Sequence, residues 1–216
     1  MFKGTSASAG IGIGKAVIVE EAELVITRNE VADAEAEIQR FKGALEKTIA
    51  ATQKMADDLA SRVGEKEAEI MQGHMMLLSD PMLTGEIENS VKNDKVNCEF
   101  AIENVCNMYA DMFASMGDEL MQQRATDMRD IKVRMQRTLM GLESVDVSLL
   151  PKGSILVAKD LTPSMTAGIN PENVSGIVTE LGGKTSHSAI LARALEIPAV
   201  VAVNGLMDAV KDGDSV

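Results

Sequence analysis

The sequence predicts an α/β domain with an all-helical bundle inserted into it. Three observations carry that expectation. Residues 28–143 hold few glycines and a single proline, and their apolar positions recur at steps of three and four. Residues 150–216 alternate short β-branched runs with glycine and proline. Residues 1–20 are rich in glycine and small side chains, and their Ala16-Val17-Ile18-Val19 stretch has strand character but no sheet of its own. That stretch is expected to join the C-terminal sheet. The chain then divides into a discontinuous α/β domain, residues 1–27 and 144–216, and an inserted helical subdomain, residues 28–143.

The helical zone divides at its breakers. A first helix is predicted over 30–63, with Ile38, Phe41, Leu45, Ile49, Leu59 and Val63 on one stripe, and Gly64 stops it. A second covers 65–78. Asp80-Pro81 breaks or kinks it, because proline has no N–H for the preceding turn, and a shorter piece continues to about 93. A third runs over 97–116 with Asn97 as its cap and Ile102, Val105, Tyr109, Met112, Phe113 and Met116 as its stripe. After a turn at Gly117-Asp118, a fourth covers 119–142 with Leu120, Met128, Ile131, Met135, Leu139 and Leu142 inward. Four helices joined by short loops suggest an up-and-down bundle.

The last zone is expected to read strand (154–158), short helix from Pro163, strand (176–179), glycine loop, helix (186–196) and strand (199–203). Strands alternating with helices favour a largely parallel sheet. The closing Asp212-Gly213-Asp214-Ser215-Val216 looks like a turn leading into a strand that is not present, which would leave an open sheet edge.

Composition excludes several classes. Over 216 residues, 45% hydrophobic and 25% charged is the balance of a folded chain, and no apolar run approaches the ~20 residues of a membrane span. The opening Met-Phe-Lys-Gly-Thr-Ser leads into no apolar signal core, so a cytoplasmic location is expected. A net charge of −12 argues against nucleic acid, whose phosphates demand cations. Cys98 and Cys106 form no disulfide or metal framework, and no metal site is expected. Between residues 63 and 119, twelve acids face three lysines. Together with fifteen methionines in the chain, this suits either an adaptable docking face for a basic protein or a plain solvated surface over a soft core.

The chemistry concentrates at one of two histidines. His187 lies in Leu181-Gly182-Gly183-Lys184-Thr185-Ser186-His187-Ser188, directly after a strand. The glycines let the backbone turn and expose N–H groups, Thr185 or Ser186 caps the next helix, and His187 falls in its first turn. Unpaired N–H groups and the positive end of the helix dipole converge there, a place suited to phosphate. A neutral imidazole is a good nucleophile near pH 7, since its ordinary pKa is about 6.5. The plainer alternative is a turn followed by a capped helix. A nucleotide-binding P-loop fails on spacing: Gly183-Lys184-Thr185 would need glycine at 178, which is Val178. Gly10-Ile11-Gly12-Ile13-Gly14 is a weak signal, read as a flexible turn before a strand.

The run Gly182-Gly183-Lys184-Thr185-Ser186-His187-Ser188-Ala189-Ile190-Leu191-Ala192-Arg193, continuing through Ile197-Pro198-Ala199-Val200-Val201, closely resembles the phosphohistidine motif of phosphoenolpyruvate-utilising enzymes. Four further stretches resemble the Enzyme I members of the bacterial sugar phosphotransferase system: residues 8–16, Gly73-His74 with 75–81, Arg124-Ala125-Thr126-Asp127 with 128–131, and Asp160-Leu161-Thr162-Pro163 with 164–167. The resemblance covers the whole chain in order.

That resemblance implies a phosphohistidine domain of the swivelling type with an inserted helical bundle. His187 would take phosphoryl from phosphoenolpyruvate and pass it to the small carrier HPr, docked on the helical part. It implies Thr166 as a hydroxyl bonded to the imidazole, or alternatively to its own helix. Arg193 would contact phosphate or pair with an acid. Gly182, Gly183, Lys184, Thr185, Ser186 and Ser188 would line the phosphate site, and Glu65, Met76, Leu77, Met121 and Arg124 would meet HPr. His74 reads as structural and the cysteines as inert. Ser188 and Lys184 stand where the family often has Thr and Arg, and Ala202 where it often has Gly. The phosphoenolpyruvate barrel is expected to lie in a missing C-terminal domain, together with any Mg²⁺, so this piece needs no cofactor of its own and is expected to be a monomer. Two alternatives stand beside this reading: the mobile domain of a pyruvate phosphate dikinase or phosphoenolpyruvate synthase, and a non-catalytic helical binding module.

Overall fold

A computed structural model describes residues 2–216. The described residues form two units: 2–22, 59–68 and 145–216 in one, 23–58 and 69–144 in the other. This division differs from the sequence boundaries most at 59–68, which pack with the α/β unit. The reason is local: the Arg62 guanidinium donates to the carbonyls of Ala167 and Ile169 at 2.6 and 2.7 Å.

The α/β unit is a five-stranded sheet in the order β1-β5-β4-β3-β2. Its strands are β1 (Thr5–Ser8), β2 (Lys15–Ile18), β3 (Ser154–Ala158), β4 (Val174–Thr179) and β5 (Ala199–Val201). Four strands are parallel, and only β1 runs antiparallel, to β5. The expected joining of N- and C-terminal strands is present. β3 lies between β4 and β2 and is buried along its length; Leu156 and Ala158 face one core, Ile155 and Val157 the other. An apolar run rather than an alternation is what a strand covered on both faces requires. α6 (Pro163–Gly168) and α7 (His187–Ala194) cover one face, and α8 (Leu206–Ala209) the other.

Two sequence expectations need correction here. Gly12 and Gly14 are more than a flexible turn: a Cβ at Gly12 would strike the Ser175 carbonyl, and one at Gly14 the Gly153 carbonyl, so close backbone approach demands glycine. The last residues do more than turn toward an absent strand. Gly14 and Val216 exchange N–H···O bonds at 2.9 and 3.0 Å, and Lys15 faces Ser215 antiparallel, beside β2.

The helical unit contains most of α1 (Ala34–Arg62) and α2 (Glu65–Leu78), with α3 (Pro81–Asp94), α4 (Cys98–Ser115) and α5 (Glu119–Met140). Of the break and the kink both expected at Asp80-Pro81, the structure has the break, so the unit holds five helices where four were expected. Pro81 opens α3 and the Asp80 carboxylate accepts from Met82 N at 2.8 Å. Asn97 precedes α4 but does not cap it. Its side chain accepts from Asn29 N, and the Glu37 carboxylate of α1 takes the Cys98 N–H at 2.8 Å instead. Asp118 caps α5, accepting from Met121 N. The core joins Phe41, Leu78, Ile87, Ile102, Met128 and Ile131. Met112, Met116, Leu120 and Leu142, expected inward, are exposed.

Candidate active site

β4 ends at Thr179, whose fully buried hydroxyl donates to Leu181 O at 2.7 Å and folds the chain back at once. Gly182 follows at φ 98°, a conformation that a side chain would strain. Gly183 is not at positive φ, and its carbonyl accepts from both the Ser186 N–H and the Ser186 hydroxyl, at 3.1 and 2.8 Å. Ser186 is the N-cap of α7 and accepts from Ala189 N at 3.3 Å. Its hydroxyl also lies 2.9 Å from that of buried Ser188. His187 is therefore the first helical residue, half-buried, among the N–H groups that an α-helix leaves unpaired. Lys184 and Thr185 are exposed on the loop.

α6 packs beside α7. Thr162 caps it, and the buried Thr166 hydroxyl donates to the Thr162 carbonyl at 2.8 Å, the local one of the two expected arrangements. With its proton placed there, the Thr166 oxygen keeps acceptor capacity. Sequence reasoning missed Arg62, which satisfies the C-terminal carbonyls of α6 from α1.

Arg193 bonds backbone carbonyls and not an acid. Its Nη1 donates to Ala7 O of β1 and to Lys184 O of the glycine loop, each at 3.0 Å. The guanidinium thus ties the loop ahead of His187 to the edge of the sheet.

The other histidine has a different environment. His74 on α2 is completely buried. Its Nε2 lies 3.2 Å from Asp127 Oδ1, and its Nδ1, 3.7 Å from Asp130 Oδ2, makes no hydrogen bond. The second Asp127 oxygen accepts from Arg124 Nη1 at 3.3 Å. Asp127 is a residue that the sequence did not single out, although it follows Arg124 by three on one helix. Of the docking candidates, Met76 is 74% exposed, Leu77, Met121 and Arg124 are half-buried, and Glu65 is exposed at the start of α2. Met108, Met112 and Met116 add an exposed row at four-residue spacing along α4 and its cap.

The acidic zone is partly spent on internal bonds. Arg40 holds the Glu37 carboxyl below the usual carboxylate range, although burial opposes it. Burial pushes Glu99 and Glu103 up. Bonds from Arg40 to Glu99, and from Gln136 and Lys132 to Glu103, outweigh it and leave both lowered. Among the described residues no three His, Cys, Asp or Glu are grouped to hold a metal ion. Among the same residues no helix is long and apolar enough to cross a membrane.

Residues 3–124 match the family model described as PEP-utilising enzyme, N-terminal, and residues 150–216 the one described as PEP-utilising enzyme, mobile domain. The chain is 41% identical over 215 residues to the phosphoenolpyruvate-protein phosphotransferase of Bacillus subtilis, covering 100% of this chain and 38% of that protein. It is 42% identical to that of Listeria monocytogenes, with the same coverage. An NMR solution structure of Enzyme I superposes with a TM-score of 0.84 at 40% identity, covering 100% of this chain and 88% of that one. The N-terminal domain of Enzyme 1 - Nitrogen shares the fold, with a TM-score of 0.65 at 24% identity, covering 100% and 93% of the two chains. The chain thus spans 38% of the length of these two curated relatives.

Proposed function

The chain belongs to the phosphoenolpyruvate-utilising enzymes, as the N-terminal region of an Enzyme I, and from that premise we propose that His187 is the residue that carries phosphoryl and passes it to HPr. The observation that supports this most is the position of His187 at the first residue of α7, directly after the capped glycine loop.

A ring nitrogen of His187 attacks the phosphorus of the donor as the bond to the leaving oxygen breaks. The three phosphoryl oxygens then meet the first N–H groups of α7, the Ser186 and Ser188 hydroxyls and the exposed Lys184 and Thr185. Phosphoryl transfer asks for little beyond such placement and charge stabilisation. The Thr166 oxygen accepts a hydrogen bond from the N–H of the other ring nitrogen, which fixes the tautomer. Arg193 keeps the loop in place through its two carbonyls. In the second half-reaction the HPr histidine attacks the same phosphorus and the bond to His187 breaks.

HPr docks on the helical unit, at Met76, Leu77, Met121 and Arg124, whereas Glu65 packs with the α/β unit, and the surrounding acids steer a basic partner. Phosphoenolpyruvate acts through a C-terminal domain outside residues 1–216, to which Mg²⁺ also belongs.

Incubation with phospho-HPr labelled in its phosphate tests the assignment. Acid-labile label is expected on His187, retained in His74→Ala and lost in His187→Ala. Label that survives His187→Ala, or that disappears only with His74→Ala, would falsify it.

A further inference from the structure

Gly73 lies inside α2, where glycine is a poor helix former. Its φ is not in the left-handed region, so the backbone does not call for glycine. A neighbour on α5 does. A Cβ at Gly73 would land on Nη1 of Arg124, and 3.4 Å from its Cζ. The guanidinium occupies the space that a side chain at position 73 would fill.

The same Nη1 is held from the other side by Asp127 Oδ2 at 3.3 Å. Asp127 is itself fixed, because its Oδ1 lies 3.2 Å from Nε2 of fully buried His74, the residue next to Gly73. Behind the imidazole stands Asp130. One edge of the Arg124 fork is therefore tied down, while its side chain stays 35% exposed. Leu77 stands one turn after Gly73 on α2, and Met121 one turn before Arg124 on α5. A tied arginine beside such apolar side chains has given up part of its rotamer freedom in advance, which lowers the cost of engaging a partner.

We propose that Gly73 and Asp127 are positioning residues that seat the Arg124 guanidinium against α2, so that its remaining N–H groups meet an oxygen of docked HPr. The inference rests on the HPr reading given above and extends it to residues that do not touch the carrier. Glycine at position 73 is a gap kept open for another residue's side chain.

Gly73→Ala separates this from a structural role, because its two effects have opposite sign. Alanine favours the helix, and the atom that it displaces is the end of a flexible side chain, so the melting temperature of the chain is expected to hold or rise. Arg124 must leave its seat, and affinity for HPr is expected to fall about tenfold, the scale of one charge-assisted bond. Combined with Arg124→Ala, Gly73→Ala should cost no further affinity, since no guanidinium remains to be displaced. Wild-type affinity in Gly73→Ala, or additive losses in the double variant, would overturn the proposal. The ¹⁵Nε resonance of Arg124, recorded without HPr, tests the seat alone and should shift in both Gly73→Ala and Asp127→Asn. An unmoved resonance rejects the seating. A resonance that moves, in a chain whose wild type binds no HPr, rejects the carrier reading instead.

Discussion

His74 is wholly enclosed, with one ring nitrogen on Asp127, whereas His187 is half-buried at the first position of α7. An enclosed imidazole tied to a carboxylate can brace a neighbour but cannot receive a phosphoryl donor from solution. The sequence set the two apart by the glycine loop around His187, and the resemblance cast His74 as structural. The enclosure of His74 is a tertiary property, because it depends on α5 lying against α2. The cysteines follow the same logic. Burial, with Glu37 near Cys98, pushes both thiols up to about 12 from 9.0. Between those two values the unfolded chain releases thiol protons that the folded chain keeps, so stability falls as pH rises from 9 toward 12. At pH 8 the folded protein is expected to leave both cysteines unmodified by an aromatic disulfide reagent, with both reacting after denaturation. Prompt modification of either thiol in the folded protein contradicts that environment.

At the scale of elements, caps decide where the helices begin. Asp80, Asp118, Thr162 and Ser186 each accept an N–H of the helix they precede. Of these the sequence names only Ser186, beside Thr185, as a cap, which is possible because a capping bond is local; Asp80 and Asp118 read there as a break and a turn. Asn97 has the right residue type and still fails, since a carboxylate from α1, sixty-one residues away, reaches the Cys98 N–H first. Ser186 has a second duty, bracing the glycine loop through Gly183 O. Ser186→Ala is therefore expected to cost about 1 kcal/mol of stability in denaturant unfolding, as a lost cap does. It should also slow phosphoryl exchange with phospho-HPr. Lost stability with an unchanged exchange rate would reduce Ser186 to a cap alone.

For the molecule as a whole, the net charge of −12 is concentrated in the helical zone, yet not all of it is available to a partner. Glu37 and Glu99 are engaged by Arg40, and Glu103 by Lys132. Glu69 and Glu119 remain exposed, as do Asp94, Asp111 and Asp118, although Ser90, Arg129 and the first turn of α5 engage those three. An exposed acidic face acts over a distance that salt shortens to about 8 Å at physiological ionic strength. The association rate with HPr is expected to fall steeply as salt is raised in stopped-flow mixing, with a smaller change in dissociation. A rate indifferent to salt would remove steering and leave apolar contact by the exposed methionines as the source of affinity.

The sequence by itself determined the class of each segment, the chain order that inserts helices into a sheet, and the histidine at the mouth of α7. Those features are written in periodicity, punctuation and caps, which act over a few residues. Only the tertiary structure decided which methionines face outward, why Gly12, Gly14 and Gly73 bear no side chain, and what Arg62 and Arg193 hold. Each of these is set by atoms from segments far apart in the chain, where packing and carbonyl geometry choose the partner and residue type alone does not.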